Sequence, residues 1–476
     1  MTLEQANSIS VSKWSSLVVL LTGNFITILD LFIVNVALAS IQRELHTTSA
    51  ELQLVIVAYS VPYGALMLNS ARLGDLYGRR RLFLIGMAVF AIASLLCALA
   101  VSPLMLIGMR ALQGIGGALL MPQVYTSLRL LFEGDDRRRA FAIMGAVQGI
   151  AGIASQTIGG YLIELNAGGF GWRLIFLVNL PVALFALAAG RALIAETRAP
   201  VATRLDVRGA VVGAVGLALL LVSLLQGREY HWPWWSVAGP LIAIAMLAYF
   251  IRYEAQLSRR GGVPIIEVSL FKNARFTIGI VATFFFFSTI SSFSLSLTML
   301  LQVGLGKSPL EAGAIFTPSA VAFFAGSLLA PILAKKTSRW ALSIGVSIYA
   351  VGLIVAVAVG FRAQGELFLL VISLVLNGLG QGIVIPLVLN SILSTVGDRE
   401  AGMASGAFST TQIVGSSFGV TIVGIIFFWL VETTGVSDVG RTVSSLYGSA
   451  FSLSTTYNLA AVLLSLALFF SLAKRK

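Results

Sequence analysis

The chain has one cysteine and two histidines, and only 11% of its 476 residues are charged. Each shortage closes off a class of function. A lone cysteine, Cys97, permits no disulfide within the chain. His46 and His231 both fall in predicted outer loops, which leaves no histidine for a metal site or for acid–base chemistry at a buried centre. A soluble domain carries about 25% charged residues, so this composition excludes a soluble globule. Acid is scarcest of all in the apolar parts. Of the 20 Asp and Glu residues, only Asp30 falls deep inside a predicted span; the others lie in loops or near span ends.

What remains is hydrophobic. Residues of the apolar set make up 57% of the chain, and they fall in successive runs of about 20 residues or more, each long enough to cross a hydrocarbon core about 30 Å thick. The runs are continuous rather than alternating, which favours helices over a β-barrel. Fourteen spans are expected between residues 15 and 472. The formal charge of +12 invites a nucleic-acid reading, but the basic residues sit in short loops and mark topology. The termini and the loops on their side hold 25 Lys and Arg, the opposite loops hold six, and Arg110 alone lies inside a span. The positive-inside rule then puts both termini in the cytoplasm. Ala37-Leu38-Ala39 has the look of a signal-peptidase site, but the run before it is long and contains Asp30, so it reads as an uncleaved first span.

No loop is long enough for a further folded domain. Gly-rich spans recur in both halves: Gly145, Gly149, Gly152, Gly159 and Gly160 in span 5, and Gly402, Gly406, Gly415 and Gly419 in span 13. This fits two parallel bundles of six helices joined by two extra spans. The expected organisation is a cytoplasmic N-terminus (1–14), an N-terminal bundle (15–194), two linking spans with flanking loops (195–275), a C-terminal bundle (276–472) and a short tail (473–476).

An acid and a base inside the membrane are the first candidate site. A carboxylate in hydrocarbon costs a few kcal/mol even by insertion scales, and intramembrane ionisable residues mark function by default. At 1.5 Å per residue, Asp30 and Arg110 lie about 13 and 10 Å from the outer ends of spans 1 and 4. They can therefore meet. Gln113 follows Arg110 by one turn as a polar neighbour. A titrating acid controlled by an arginine is one reading, and a structural ion pair that fixes helix packing is the other. The second candidate is Arg72-Leu73-Gly74-Asp75-Leu76-Tyr77-Gly78-Arg79-Arg80-Arg81. Gly74 and Gly78 suit a tight turn, and Asp75 can cap a helix or pair with an arginine across the loop. Asn24, Phe25, Tyr59, Tyr63, Gln148 and Asn377 are candidates to line a cavity. Glu164, near the outer end of span 5, reads as solvated. The Phe284–Phe287 run covers most of a helix circumference and reads as lipid-facing and packing. Asn377–Gly382 lacks the Lys and Ser/Thr of a phosphate loop.

Four segments carry a resemblance. Residues 72–86, RLGDLYGRRRLFLIG, resemble the loop 2–3 signature of the major facilitator superfamily, and 110–122, RALQGIGGALLMP, resemble its span 4 signature. Residues 29–38, LDLFIVNVAL, and 172–182, WRLIFLVNLPV, are similar to segments of its 14-span drug:proton antiporters. The resemblance runs from about residue 15 to 472. It implies a major facilitator fold, alternating access, and efflux driven by proton entry. Asp30 would be the proton carrier, Arg110 the arginine linked to proton transfer, and Gly74, Asp75, Gly78 and Arg79 a cytoplasmic gate latch. Span 5 departs from the antiporter pattern: Gln156 stands where that pattern has Pro, and adds a polar group near the cavity. Gly145, Gly149, Gly152, Gly159 and Gly160 retain a face for close helix packing.

The resulting expectation is a multi-pass protein of the bacterial plasma membrane, not an enzyme. It would be a monomer that exports small hydrophobic or amphiphilic compounds, of multidrug breadth, against protons, with no metal, cofactor or nucleic acid and no adaptor assigned. A dedicated exporter of one metabolite, siderophore or lipid-like compound is the alternative. A membrane enzyme would need more polar groups at one depth than Asp30, Arg110 and amides. A channel or passive binding protein would show no dependence on a proton gradient.

Overall fold

The structure is a computed structural model that describes residues 13–198, 206–230, 232–262, 264–265, 267–337, 340–361, 367–393, 395–396, 401–435 and 442–474. Most of the two expected tails lies outside these residues, as do His231, Arg339, Arg362, Arg399 and Arg441. Among the described residues there is no strand. Fourteen helical segments are long and apolar enough to cross a membrane.

The first bundle comprises α1 (Lys13–Leu45), α2 (Ser49–Tyr77), α3 (Arg79–Ala98), α4 (Pro103–Leu131), α5 (Gly134–Leu165) and a broken sixth crossing, α6 (Leu174–Leu177) with α7 (Asn179–Leu193). Then come α8 (Val207–Glu229) and α9 (Trp234–Arg259). The second bundle begins with α10 (Ala274–Ser288) and α11 (Ile290–Met299), one crossing that ends in a π-turn at Leu300–Gly304. It continues with α12 (Pro309–Thr337), α13 (Ala341–Phe361), α14 (Leu367–Leu393), α15 (Ala401–Gly435) and α16 (Val443–Lys474). An even number of crossings brings the start of α1 and the end of α16 to one side, called the near end; the opposite side is the far end.

Local chemistry explains the helix starts. Thr48 accepts from Glu51 N at 3.2 Å while the Glu51 carboxylate accepts from Thr48 N at 2.8 Å, a reciprocal cap on α2. Ser102 caps α4 by accepting from Met105 N at 3.3 Å, with Pro103 in the first turn. Within the bundles, small residues let backbones touch, which is how helices associate where lipid offers no hydrophobic drive. In Asn377–Gly382 the glycines do this: a Cβ at Gly378 would lie 1.9 Å from Ser319 O, and one at Gly382 2.1 Å from Phe323 O, so the stretch seats α14 on α12. The Phe284–Phe287 run packs inside the second bundle more than it faces lipid. Phe286 is buried against Tyr349 at 5.4 Å between ring centroids, Phe284 meets Phe418 at 5.5 Å and Phe287 meets Phe408 at 6.3 Å.

The α8–α9 hairpin packs on α2 and touches α15, so it lies at the seam of the two bundles. Its root is polar. Asp206 caps α8 by accepting from Gly209 N at 2.8 Å and also accepts from Tyr253 Oη at 3.1 Å. Its backbone oxygen accepts from Asn69 Nδ2 of α2 at 2.9 Å. Arg72 of α2 reaches the same root and donates to Pro264 O at 2.5 Å. Burial pushes its pKa down, while the nearby Glu254 and Asp206 carboxylates pull it back up.

The two bundles meet mainly in their far halves. Thr157 Oγ1 of α5 and Thr317 Oγ1 of α12 are 3.1 Å apart, Ser308 Oγ donates to Glu164 at 3.1 Å, and Gln302 Nε2 donates to Val36 O at 2.7 Å. Gly160 is pressed against α12, with Pro309 O only 2.4 Å from where its Cβ would be. Eleven residues earlier, on the same face of α5, a Cβ at Gly149 would meet nothing within 4 Å. Helices α5 and α12 are therefore in contact at Gly160, while nothing stands against the face of α5 at Gly149.

Candidate functional site

Five helices of the first bundle converge on Asp30. Both Asp30 and Arg110 are 0% exposed, so no water reaches the pair in this state. One carboxylate oxygen, Oδ2, accepts from Arg110 Nη1. The other, Oδ1, accepts from Gln113 Nε2 at 2.8 Å and from Asn179 Nδ2 of α7 at 3.0 Å. Arg110 donates further, from Nε to Val55 O at 3.1 Å and from Nη1 to Gln113 Oε1 at 2.7 Å. Gln113 Nε2 also reaches Ser94 Oγ of α3 at 2.8 Å. The guanidinium lies over the Tyr59 ring, 4.5 Å from its centroid, a cation–π contact that is strongest when water is excluded.

Burying two ions costs several kcal/mol each, and only good geometry with further hydrogen bonds offsets it. Here three donors hold the carboxylate, and a carbonyl, an amide, a carboxylate and a ring hold the guanidinium. In this network Arg110 Nη2 and Asn179 Oδ1 have no hydrogen-bond partner. The charges of Asp30 and Arg110 thus depend on one another: losing either one leaves the other uncompensated in an apolar bundle.

Among the described residues, the second bundle has no buried ion pair to match it. Its buried polar groups among the described residues are hydroxyls and the amides of Asn377 and Asn458. Ser292 Oγ donates to Asn458 Oδ1 at 2.8 Å, and Ser416 Oγ to Ser291 Oγ at 2.7 Å. Among the described residues, no group of three or more His, Cys, Asp or Glu could hold a metal.

The candidate cavity residues scatter. Tyr63, partly exposed, stacks on Tyr59 at 5.7 Å, and Gln148 Nε2 donates to Tyr125 Oη at 3.3 Å. Phe25 is partly exposed, while Asn24 is fully buried and neither side-chain polar atom has a partner. Gln156 is buried and donates to Phe32 O of α1 at 3.1 Å, stitching α5 to α1. Asn377 does not face the gap between the bundles. It donates to Ser373 Oγ at 3.3 Å and packs against Gly352 of α13, because the small residues of α13 and α14 draw that face inward. The glycine face of α5 divides as well. A Cβ at Gly159 would lie 2.7 Å from Ile33 and from Val36, and one at Gly160 would strike α12, but a Cβ at Gly145, Gly149 or Gly152 would meet nothing within 4 Å. These three are not at a close helix crossing.

The loop between α2 and α3 forms a compact turn. Asp75 accepts from Arg79, an ion pair within the turn itself. Gly78 has φ of 105°, a conformation suited to glycine. A Cβ at Gly74 would lie 1.9 Å from Gln123 Oε1, so Gly74 leaves room for the Gln123 amide of α4, which donates to Ser70 O at 2.8 Å. The cap on α3 comes from Glu196, not from Asp75. The Glu196 carboxylate accepts from Arg80 N and Arg81 N, each at 3.1 Å, and sits at the positive end of the helix.

Asn179, Ser94 and Glu196 were not singled out from the sequence. Asn179 had a signal, a lone amide in an apolar run just before Pro181.

Comparison with known proteins agrees with this architecture. The chain is 35% identical over 430 residues to the probable actinorhodin transporter of Streptomyces coelicolor, covering 90% of this chain and 74% of that one. It is 33% identical over 451 residues to the cephamycin export protein of Amycolatopsis lactamdurans, covering 92% and 88%. A solved bacterial homologue of the human lysosomal transporter Spinster, in an inward-facing and unoccupied conformation, superposes with a TM-score of 0.69 over 98% of both chains. At 15% identity, that likeness concerns the fold alone. The family model described as Major Facilitator Superfamily matches residues 20–420 and 280–473, and with this arrangement of helices the chain belongs to the major facilitator superfamily of membrane transporters.

Proposed function

We propose that the protein is a proton-coupled exporter of small hydrophobic or amphiphilic compounds, working by alternating access in a bacterial plasma membrane with both termini in the cytoplasm. The observation that carries this reading is the single carboxylate of the bundle interiors, Asp30, held by Arg110, Gln113 and Asn179 where no water reaches it. The relatives named for export of actinorhodin and cephamycin support the direction.

In the cycle, the state open to the outside lets a proton reach Asp30 as substrate leaves. Neutral Asp30 releases Arg110, and the far halves of the bundles close through contacts of the kind made by Thr157, Thr317, Gly160 and Gln302. In the state open to the cytoplasm, Asp30 loses its proton, re-forms the pair, and substrate enters. Substrate shifts this balance only by the difference in its affinity for the two states. Asp75 and Arg79 then act as a latch that changes partner when the near ends close.

A dedicated exporter of one compound is the second reading, favoured because both relatives are named for a single antibiotic. Proteoliposomes with an internal pH dye and a clamped proton gradient test the proposal. A panel of cationic, zwitterionic and neutral compounds should move protons in wild type and not in Asp30→Asn. Undiminished proton-driven transport in that variant would sink the reading. The breadth of the active panel separates a multidrug pump from a dedicated one.

A further inference from the structure

The second bundle carries a groove at its near end that the transport reading does not use. One part, ≈ 650 Å³, lies between Lys336 at the end of α12, Trp340 and Ser343 around the start of α13, and Phe470 of α16. A second recess of ≈ 460 Å³ shares Phe470 and runs along α16 past Leu463 and Leu466 to Lys474. Trp340 packs on Phe470, with ring centroids 5.4 Å apart. The groove looks outward from the bundle: Phe470 is 39% and Leu463 47% exposed.

Its chemistry is that of a lipid with a charged head. Lys336 and Lys474 are exposed, form no ion pair among the described residues, and no acid lines either recess. Ser343 lines the groove, is 2% exposed, and its Oγ has no hydrogen-bond partner. A buried hydroxyl without a partner has no water to turn to, so it calls for an acceptor from whatever fills the groove. Behind these polar groups lie Ile344, Ile348, Leu463 and Leu466, the surface an acyl chain covers. Tryptophan at the rim is the residue of the membrane–water boundary. We propose that this groove is a binding site for one anionic phospholipid. The phosphate lies between Lys336 and Lys474 within reach of the Ser343 hydroxyl, and the acyl chains lie against α13 and α16.

The test uses the full chain in detergent with added phosphatidylglycerol or phosphatidylcholine, and counts retained lipid by native mass spectrometry. Wild type should retain phosphatidylglycerol in preference to phosphatidylcholine. Each lysine near a phosphate contributes about a fivefold preference, so Lys336→Gln/Lys474→Gln should lose most of it. Lys336→Arg/Lys474→Arg should keep it, and so should Lys335→Gln, which lies off the groove. Equal retention of the two lipids by wild type, or unchanged selectivity in the glutamine variant, would overturn the proposal. So would displacement of the lipid by millimolar inorganic phosphate, which would mark a free-anion site. A second measurement needs no lysine variant. Phosphatidylglycerol brominated on its acyl chains should quench the fluorescence lost in Trp340→Phe more strongly than brominated phosphatidylcholine, and equal quenching would count against the site.

Discussion

Gly313 of α12 and Gln156 of α5 meet across the two bundles so closely that a Cβ on Gly313 would sit 2.3 Å from the Gln156 carbonyl oxygen. Gln156 occupies the position where the antiporter pattern has Pro, and α5 runs through it unbroken from Gly134 to Leu165. The far seam is thus a backbone-to-backbone contact that tolerates no added atom.

Gly313→Ala should therefore disfavour the state described here. Forcing a methyl into a packed contact costs about 1–3 kcal/mol, which moves a two-state balance by about five- to 150-fold. The expected result is faster maleimide labelling of Thr317→Cys in Gly313→Ala than in its parent. The native chain suits this assay, because its one cysteine, Cys97, is fully buried. Equal labelling rates would show that the seam does not govern the balance.

Arg110→Met leaves Asp30 as an uncompensated buried acid. Removing one partner of a buried pair costs about 3–5 kcal/mol, so a large drop in melting temperature is expected. Asp30→Asn/Arg110→Met, which removes both charges, should recover much of that loss. If Asp30 is a proton carrier, the double variant regains stability without regaining coupled transport. Coupled transport in the double variant would leave the pair a purely structural role.

Glu196 and Gly78 can be tested together. Glu196→Ala removes the cap from α3, worth about 0.5–2 kcal/mol. Gly78→Ala adds a Cβ 2.5 Å from Glu196 Oε1 at a residue with φ of 105°, and should cost at least as much. Because both act on one contact, the effects should fall short of additive in a double-variant cycle read by thermal denaturation.

Asp206→Ala should loosen the α8–α9 hairpin while leaving the Asp30 network intact. It removes the cap on α8 and the acceptor of Tyr253. Hydrogen exchange should rise in 207–229 and stay unchanged around residues 24–36 and 106–117. Exchange that rises equally in both places would mean the hairpin is integral to the first bundle.

The central network was legible where charge met hydrocarbon. Asp30 and Arg110 stand out because an ionised group in an apolar span demands a partner, and the depth of each along its span brought them together on paper. Asn179 does not stand out in the same way, since a neutral amide is tolerated in a span without a specific partner. Glu196 lay hidden for a different reason: its contact with Arg80 and Arg81 joins residues 116 and 115 apart in sequence. Periodicity placed Gly145, Gly149 and Gly152 on a packing face, but whether a helix covers that face depends on which way the bundles are tilted. Asn377 shows the opposite limit, because pattern alone does not tell a helix face turned to the gap from one turned to its own bundle.

The solitary carboxylate also has an electrical consequence. If each cycle returns one proton through Asp30, export of a neutral compound moves one net positive charge into the cell. The membrane potential then adds about 2.3 kcal/mol per 100 mV to the pH gradient as a driving force. Export of a monovalent cation cancels that charge, and the same protein would then run on the pH gradient alone. Because no acid is buried in the hydroxyl-lined C-terminal bundle among the described residues, the charge of the cargo then decides whether voltage contributes to the work.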